Sequence, residues 1–393
     1  MAAYLDSVPL SGIIRIRDMM YTVDKPFRLD QGDVSFDAPA SVKDAMLKAV
    51  RDNRTHYLPT AGVPRLLELI AEKLQTHNHL PVAGPQEILT ATGGIHAQFL
   101  ACQALLEPGD EVLLPDPCWP PTASIVMTAH AVPVYYSLHA ERGWRPDLTE
   151  IASKITPKTK AILINGPQNP TGGVLTTDDI TGIAALAMSR NLWVIADEAY
   201  EDFQWEGTPL SIGSLPGMHD RTISLFTLSK SFAMTGVRVG YLAIKDAAIR
   251  ARALKLLLYT ATNISSIAQY GAIGALEGGR ACIEEFRTEL LARRDLFYAG
   301  LADKAKGVLS GEKPAGAFYA FAKINPEWRS PLPDASSSLS WAMTEYLIKK
   351  GRVGCIPGGD FGPGGEGYVR LCFARDRAEL QGALDAIGEL LQR

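Results

Sequence analysis

Short apolar runs recur through the middle of the chain, at Glu111–Leu114, Ala131–Tyr136, Ala161–Ile164, Leu192–Ala196, Thr222–Phe226 and Val239–Ile244, with a strand-like Ile88–Ala91 before them. Stretches of helical period lie between several of these, among them Gly94–Leu106 and Thr177–Ser189. A run that is apolar at nearly every position suits a strand buried on both faces. Such strands alternating with helices predict an α/β fold, a mostly parallel sheet covered by helices on both sides.

The pattern differs on either side. Residues 1–44 read as irregular, with turn signals at Gln31-Gly32-Asp33, and residues 62–75 as a helix with Pro64 in its first turn. Residues 246–260 and 267–306 read as helices, the second long enough to bridge two domains. Beyond it, Ala317–Ile324, Val353–Ile356 and Tyr368–Phe373 read as strands, and Leu339–Lys350 and Ala378–Leu391 as helices. This is a smaller α+β unit. Asn325–Ser338, with three prolines and four serines, is expected to be a surface loop.

At ~150 residues per domain, 393 residues allow two to three units, or a large one with a smaller one. Hydrophobic residues at 47% and charged residues at 21% exclude a disordered or fibrous chain. Lys+Arg 39 against Asp+Glu 43 leaves −4, so no basic field points to nucleic acid. No apolar run reaches the roughly 18 residues that a membrane span needs. The N-terminal MAAYLDSVPLSG lacks the basic-then-apolar order of a secretory signal. Five cysteines without a CxxC are expected to be free thiols in a reducing cytoplasm.

Five stretches carry candidate chemistry. Thr227-Leu228-Ser229-Lys230 follows a buried strand and is itself followed by Arg238. A lysine among hydroxyls and apolar residues can serve as a nucleophile, and hydroxyls with a guanidinium suit a phosphate. Alone, the lysine reads as an ordinary solvated loop residue. Asp197 and Tyr200 close the run Val194–Ala196, where α/β sheets place ligands, although a strand-end aspartate often only caps a helix. Thr92-Gly93-Gly94-Ile95 opens a helix whose free N–H groups suit an anion, without the spacing of a dinucleotide or Walker loop. Asn165 to Gly172 is a turn-rich loop after a strand. Arg370 lies inside an apolar strand, where a guanidinium is costly without a carboxylate partner or ligand.

Taken in order along nearly the whole chain, these motifs resemble the class I/II aminotransferases, the fold type I pyridoxal-phosphate enzymes. The resemblance rests on Ser229-Lys230 with an arginine eight residues on, Asp197-x-x-Tyr200, Asn169-Pro170-Thr171-Gly172 and Arg370. It implies a large domain at 45–285 with a mostly parallel seven-stranded sheet. A small domain, made of 1–44 and 286–393, would close over the active site. It implies pyridoxal 5'-phosphate held by Lys230 as a Schiff base, with Lys230 then moving the substrate proton. Asp197 would face the pyridine nitrogen, and Tyr200 and Asn169 the ring's 3-oxygen. Thr227, Ser229, Arg238 and the amides of Gly94 and Ile95 match phosphate ligands. Trp119 matches the residue that stacks on the ring. Tyr57 matches a tyrosine that reaches the phosphate of a neighbouring subunit, which implies a homodimer with shared sites. Arg370 matches the substrate-carboxylate clamp, and Gly32 lines the same pocket.

Two departures bear on substrate. Gly32-Asp33-Val34-Ser35-Phe36 lacks the proline that many relatives carry, so the N-terminal segment is expected to sit differently. Leu258 stands near the place where dicarboxylate-specific members often carry an arginine. The expected activity is therefore transamination between an L-amino acid and a 2-oxo acid, not strictly aspartate-specific. Ile13, Tyr259 and Phe361 would favour apolar or aromatic side chains. The alternative is a β-lyase (C–S lyase) on the same scaffold. A regulatory role would call for a basic DNA-binding head, and a metal enzyme for clustered histidines; His77 and His79 read as solvated instead.

Overall fold

The computed structural model describes residues 3–305 and 307–392. Its larger sheet is built from β1 (Ile88–Ala91), β2 (Glu111–Asp116), β3 (Val132–His139), β4 (Arg145–Pro146), β5 (Thr159–Asn165), β6 (Trp193–Asp197), β7 (Thr222–Thr227) and β8 (Gly240–Ile244). Their spatial order is β1-β8-β7-β6-β5-β2-β3-β4. The seven strands expected from the sequence are all present, and the two-residue β4 adds an eighth at one edge. Neighbours from β7 to β3 pair in parallel, β8 is antiparallel to both β1 and β7, and β4 is antiparallel to β3.

The apolar runs are continuous because each strand feeds two cores. Val112 and Leu114 pack on one face with Leu163, Ile195 and Leu225. Leu113, Ile162, Ile164 and Val194 pack on the other. Alternate residues of one strand thus enter opposite clusters, as the two-residue period of a strand requires. With both faces buried, the strand ends are the natural openings.

The smaller sheet is antiparallel, with β9 (Leu309–Ser310), β10 (Tyr319–Ile324), β11 (Ile356–Pro357) and β12 (Tyr368–Cys372) in the order β11-β12-β10-β9. The helices Ala281–Lys304 and Arg377–Leu391 share its core through Leu290, Phe297, Leu384 and Ile387. Among the described residues no helix is long and apolar enough to cross a membrane.

Three local expectations differ from the structure. The stretch 267–306 is two helices, Ser266–Glu277 and Ala281–Lys304, separated at Gly278-Gly279, where Gly279 takes φ +79°. The segment read as irregular contains the helix Gly12–Tyr21, capped by Ser11. Ile16 and Met20 of that helix are buried, while the exposed Arg15, Arg17 and Asp18 break up its apolar run. Of Val353–Ile356, only Ile356 joins the ladder, because Val353 bridges to Phe27 instead.

Candidate active site

The carboxyl ends of β1, β2, β5, β6 and β7 lead to Gly94 and Ile95, Trp119, Asn169, Asp197 and Tyr200, and Ser229 and Lys230. All of these line one cavity of about 640 Å³.

At the end of β7, Thr227 caps the helix Leu228–Ser231 by accepting from the Ser229 N–H at 3.2 Å. Thr227 Oγ1 also lies 2.8 Å from Ser229 Oγ. This turn puts Lys230 in the cavity, where its amine donates to the Gly32 carbonyl. Arg238 adopts the left-handed region at φ +66° and donates to the Thr235 carbonyl at 2.8 Å. Its guanidinium lies against Gly93, where a Cβ would overlap it. The helix Gly93–Leu105 begins without a side-chain cap, leaving its first N–H groups available. Two hydroxyls, a guanidinium and an open helix start form a cradle for a phosphate dianion.

Asp197 ends β6, and one of its oxygens accepts from the Ala199 N–H at 3.1 Å. It therefore caps a turn and not a helix. Asn165 accepts from the Asn169 N–H at 2.9 Å and so fixes that residue. Asn169 Nδ2 then reaches Tyr200 Oη at 3.5 Å, and its Oδ1 accepts from Arg370 at 3.1 Å.

Arg370 comes from β12 of the smaller sheet and is 3% exposed. It donates to the Asp30 carbonyl at 2.6 Å and lies over the rings of Tyr319 at 4.6 Å and Phe361 at 5.1 Å. Its Nε has no partner, and no carboxylate among the described residues pairs with it. A buried guanidinium held only by neutral oxygens and rings is poised for an anionic ligand.

Burial draws the Lys230 amine down to about 8, against the opposing pull of Asp33. Burial pushes Asp197 up to about 6, partly offset by the Ala199 N–H and by Lys230. A readily neutralised amine beside a desolvated carboxylate is the arrangement that covalent and proton-transfer chemistry needs.

Gly32 and Ile13 also line the cavity. Three residues of the expected site do not. Phe361 is 1% exposed and packs beneath Arg370 against Phe321, with centroids 6.1 Å apart, so it supports the clamp without touching the cavity. Tyr57 is 87% exposed and Tyr259 is 79% exposed, both on the outer surface. Cys118 is 4% exposed and burial pushes its thiol up to about 12, so it packs. The N-terminal departure has a local anchor: Asp33 accepts from Thr235 Oγ1 at 2.7 Å, tying that segment to the lysine loop. Sequence reading missed Tyr319, Arg17, Asp30 and Thr235 as lining residues. Tyr319 was visible only as one more apolar position of a strand.

The family description that matches residues 24–387 is "Aminotransferase class I and II". The chain belongs to that family. It is 34% identical to aromatic-amino-acid aminotransferase 2 of Thermococcus litoralis, over 99% of this chain and 97% of that one. It is 35% identical to an aspartate aminotransferase of Pyrococcus abyssi, over 100% and 98%. A solved alanine aminotransferase from Pyrococcus furiosus superposes with a TM-score of 0.91 at 29% identity, covering 100% of this chain and 99% of its own. The fold is therefore that of the fold type I enzymes, and the chain is a pyridoxal-phosphate-dependent aminotransferase. Its side chains fit that cofactor. The cradle at Gly94, Thr227, Ser229 and Arg238 suits its phosphate, Asp197 suits a ring cation, and Lys230 suits its carbonyl.

Proposed function

We propose that this aminotransferase moves an amino group between an L-amino acid and a 2-oxo acid in a ping-pong cycle, with these side chains in named roles. Lys230 holds the cofactor covalently and afterwards carries the proton to and from the substrate α-carbon. Asp197 keeps the ring nitrogen protonated, and Tyr200 and Asn169 donate to the ring's 3-oxygen. Thr227, Ser229, Arg238 and the amides of Gly94 and Ile95 hold the phosphate, and Trp119 covers the ring. When bound, pyridoxal phosphate supplies an aromatic system that accepts the electron pair left by the departing proton.

Arg370 takes the substrate α-carboxylate. The observation that carries this reading is its buried guanidinium, with no carboxylate partner among the described residues and an unpartnered Nε, on the wall that Lys230 and Asp197 share. Residues 45–285 form the cofactor domain, and 1–44 with 286–393 form the part that closes over substrate and excludes water. The enzyme works as a cytoplasmic homodimer in which the exposed Tyr57 reaches the neighbouring subunit's phosphate.

Ile13 lines the cavity, and the related enzymes carry aromatic, aspartate and alanine names, so acceptance of apolar and aromatic amino acids is expected. A panel of amino donors against 2-oxo acids tests this. Turnover of phenylalanine or leucine within an order of magnitude of aspartate supports it. Aspartate outpacing both by a hundredfold overturns it.

A further inference from the structure

Tyr319 stands on β10 of the smaller sheet, 1% exposed, yet its side chain reaches the cavity wall. Its hydroxyl lies 2.7 Å from that of Tyr200, which belongs to the loop after β6 of the larger sheet. Its ring lies 4.6 Å beneath the Arg370 guanidinium. A Cβ on Gly32 would overlap the Tyr319 hydroxyl, so that glycine makes room for it. One side chain thus touches the partner of the cofactor's ring oxygen, the carboxylate clamp and the N-terminal segment.

Counting donors orders the two phenols. Each has one proton. Tyr200 already accepts from Asn169 Nδ2 at 3.5 Å. Tyr319 has Tyr200 as its only recorded hydrogen-bond partner among the described residues. If Tyr200 donated to Tyr319, the Tyr319 proton would have no acceptor among the described residues and the Tyr200 proton would be spent away from the cavity. If Tyr319 donates, its proton is used and Tyr200 keeps its own for an acceptor in the cavity. Burial holds both phenols well above their ordinary range, so both stay protonated at working pH.

We propose that Tyr319 is a positioning residue for the transamination site: its hydroxyl turns the Tyr200 proton into the cavity, and its ring backs the Arg370 clamp. The proposal rests on the roles given to Tyr200 and Arg370 above. It separates into two halves that two substitutions address. Tyr319→Phe keeps the ring and the packing and removes one oxygen. Tyr319→Leu removes the ring as well.

The test uses the cofactor-loaded enzyme. In Tyr319→Phe the Tyr200 hydroxyl becomes a weaker donor, and the ring's 3-oxygen is less well stabilised. The pH midpoint of the visible cofactor band should rise by roughly half a unit. kcat should fall roughly threefold to tenfold, with KM for the amino donor within about twofold of wild type. Tyr319→Leu should add a roughly tenfold rise in that KM. A Phe variant with unchanged midpoint and kcat, or one altered in KM alone, overturns the proposal. A wild-type protein that shows no visible band with added pyridoxal phosphate overturns the role of Lys230, and this inference with it.

Discussion

The floor and the roof of the cavity are built in opposite ways. On the floor, each key side chain is fixed by a neighbour a few residues away: Thr227 by Ser229, Asn169 by Asn165, Asp197 by Ala199, Arg238 by Thr235. On the roof the partners are far apart in sequence: Arg370 bonds Asp30, Tyr319 meets Tyr200, and Lys230 reaches up to Gly32. The floor is therefore complete once the larger sheet is assembled. The roof exists only when the N-terminal segment and the smaller sheet are docked. In the function proposed above, cofactor chemistry belongs to the first and substrate choice to the second.

Substitutions on the floor should act on kcat, and the largest effect is expected there. Lys230→Ala should lower turnover by on the order of 10⁴-fold or more and abolish the covalent cofactor band, read by steady-state assay and absorbance. Residual transamination near wild type would remove Lys230 from its role. Asp197→Ala should follow, with kcat down on the order of a hundredfold or more and the same thermal unfolding midpoint to within a few degrees. Near-normal turnover there would refute the electronic role of its charge.

On the roof, Arg370→Ala should instead act through substrate. It should raise KM for donor and acceptor roughly a hundredfold, about 3 kcal/mol of charge-assisted binding, while cofactor affinity stays close to wild type. Equal loss of cofactor binding would erase the distinction between floor and roof.

The smallest effect is a pH dependence of the floor alone. The Lys230 amine sits near 8 in the folded chain against an ordinary 10.5, so the folded state binds fewer protons between those values. Its stability contribution therefore rises with pH across that window, and the neutral, reactive amine grows as pH approaches 8 from below. The rate of reconstitution with pyridoxal phosphate should climb up to tenfold per pH unit below 8 and level off above it. A rate that is flat from pH 6 to 8 would contradict the lowered amine.

The same contrast explains what the sequence made legible. Lys230, Asp197, Asn169 and Thr227 were readable as a set: each follows an apolar run, where a doubly covered sheet opens, and together in order they carried the family resemblance that none carried alone. Arg370 was readable because a cation inside an apolar strand needs a reason. Tyr319 was not, since an aromatic in a strand is usually core and its reach to Tyr200 depends on docking across the two sheets. Phe361 was assigned to the pocket wall but lies one layer deeper, beneath Arg370. The helix Gly12–Tyr21 escaped because the exposed Arg15, Arg17 and Asp18 interrupt its apolar residues inside a segment otherwise rich in turn signals.

One measurement reaches the central claim directly: the absorbance spectrum of the purified protein with pyridoxal phosphate, before and after single L-amino acids. A visible band that bleaches with an amino acid and returns with a 2-oxo acid is the expected result. A band that persists while pyruvate or ammonia accumulates, or no band at all, would contradict it.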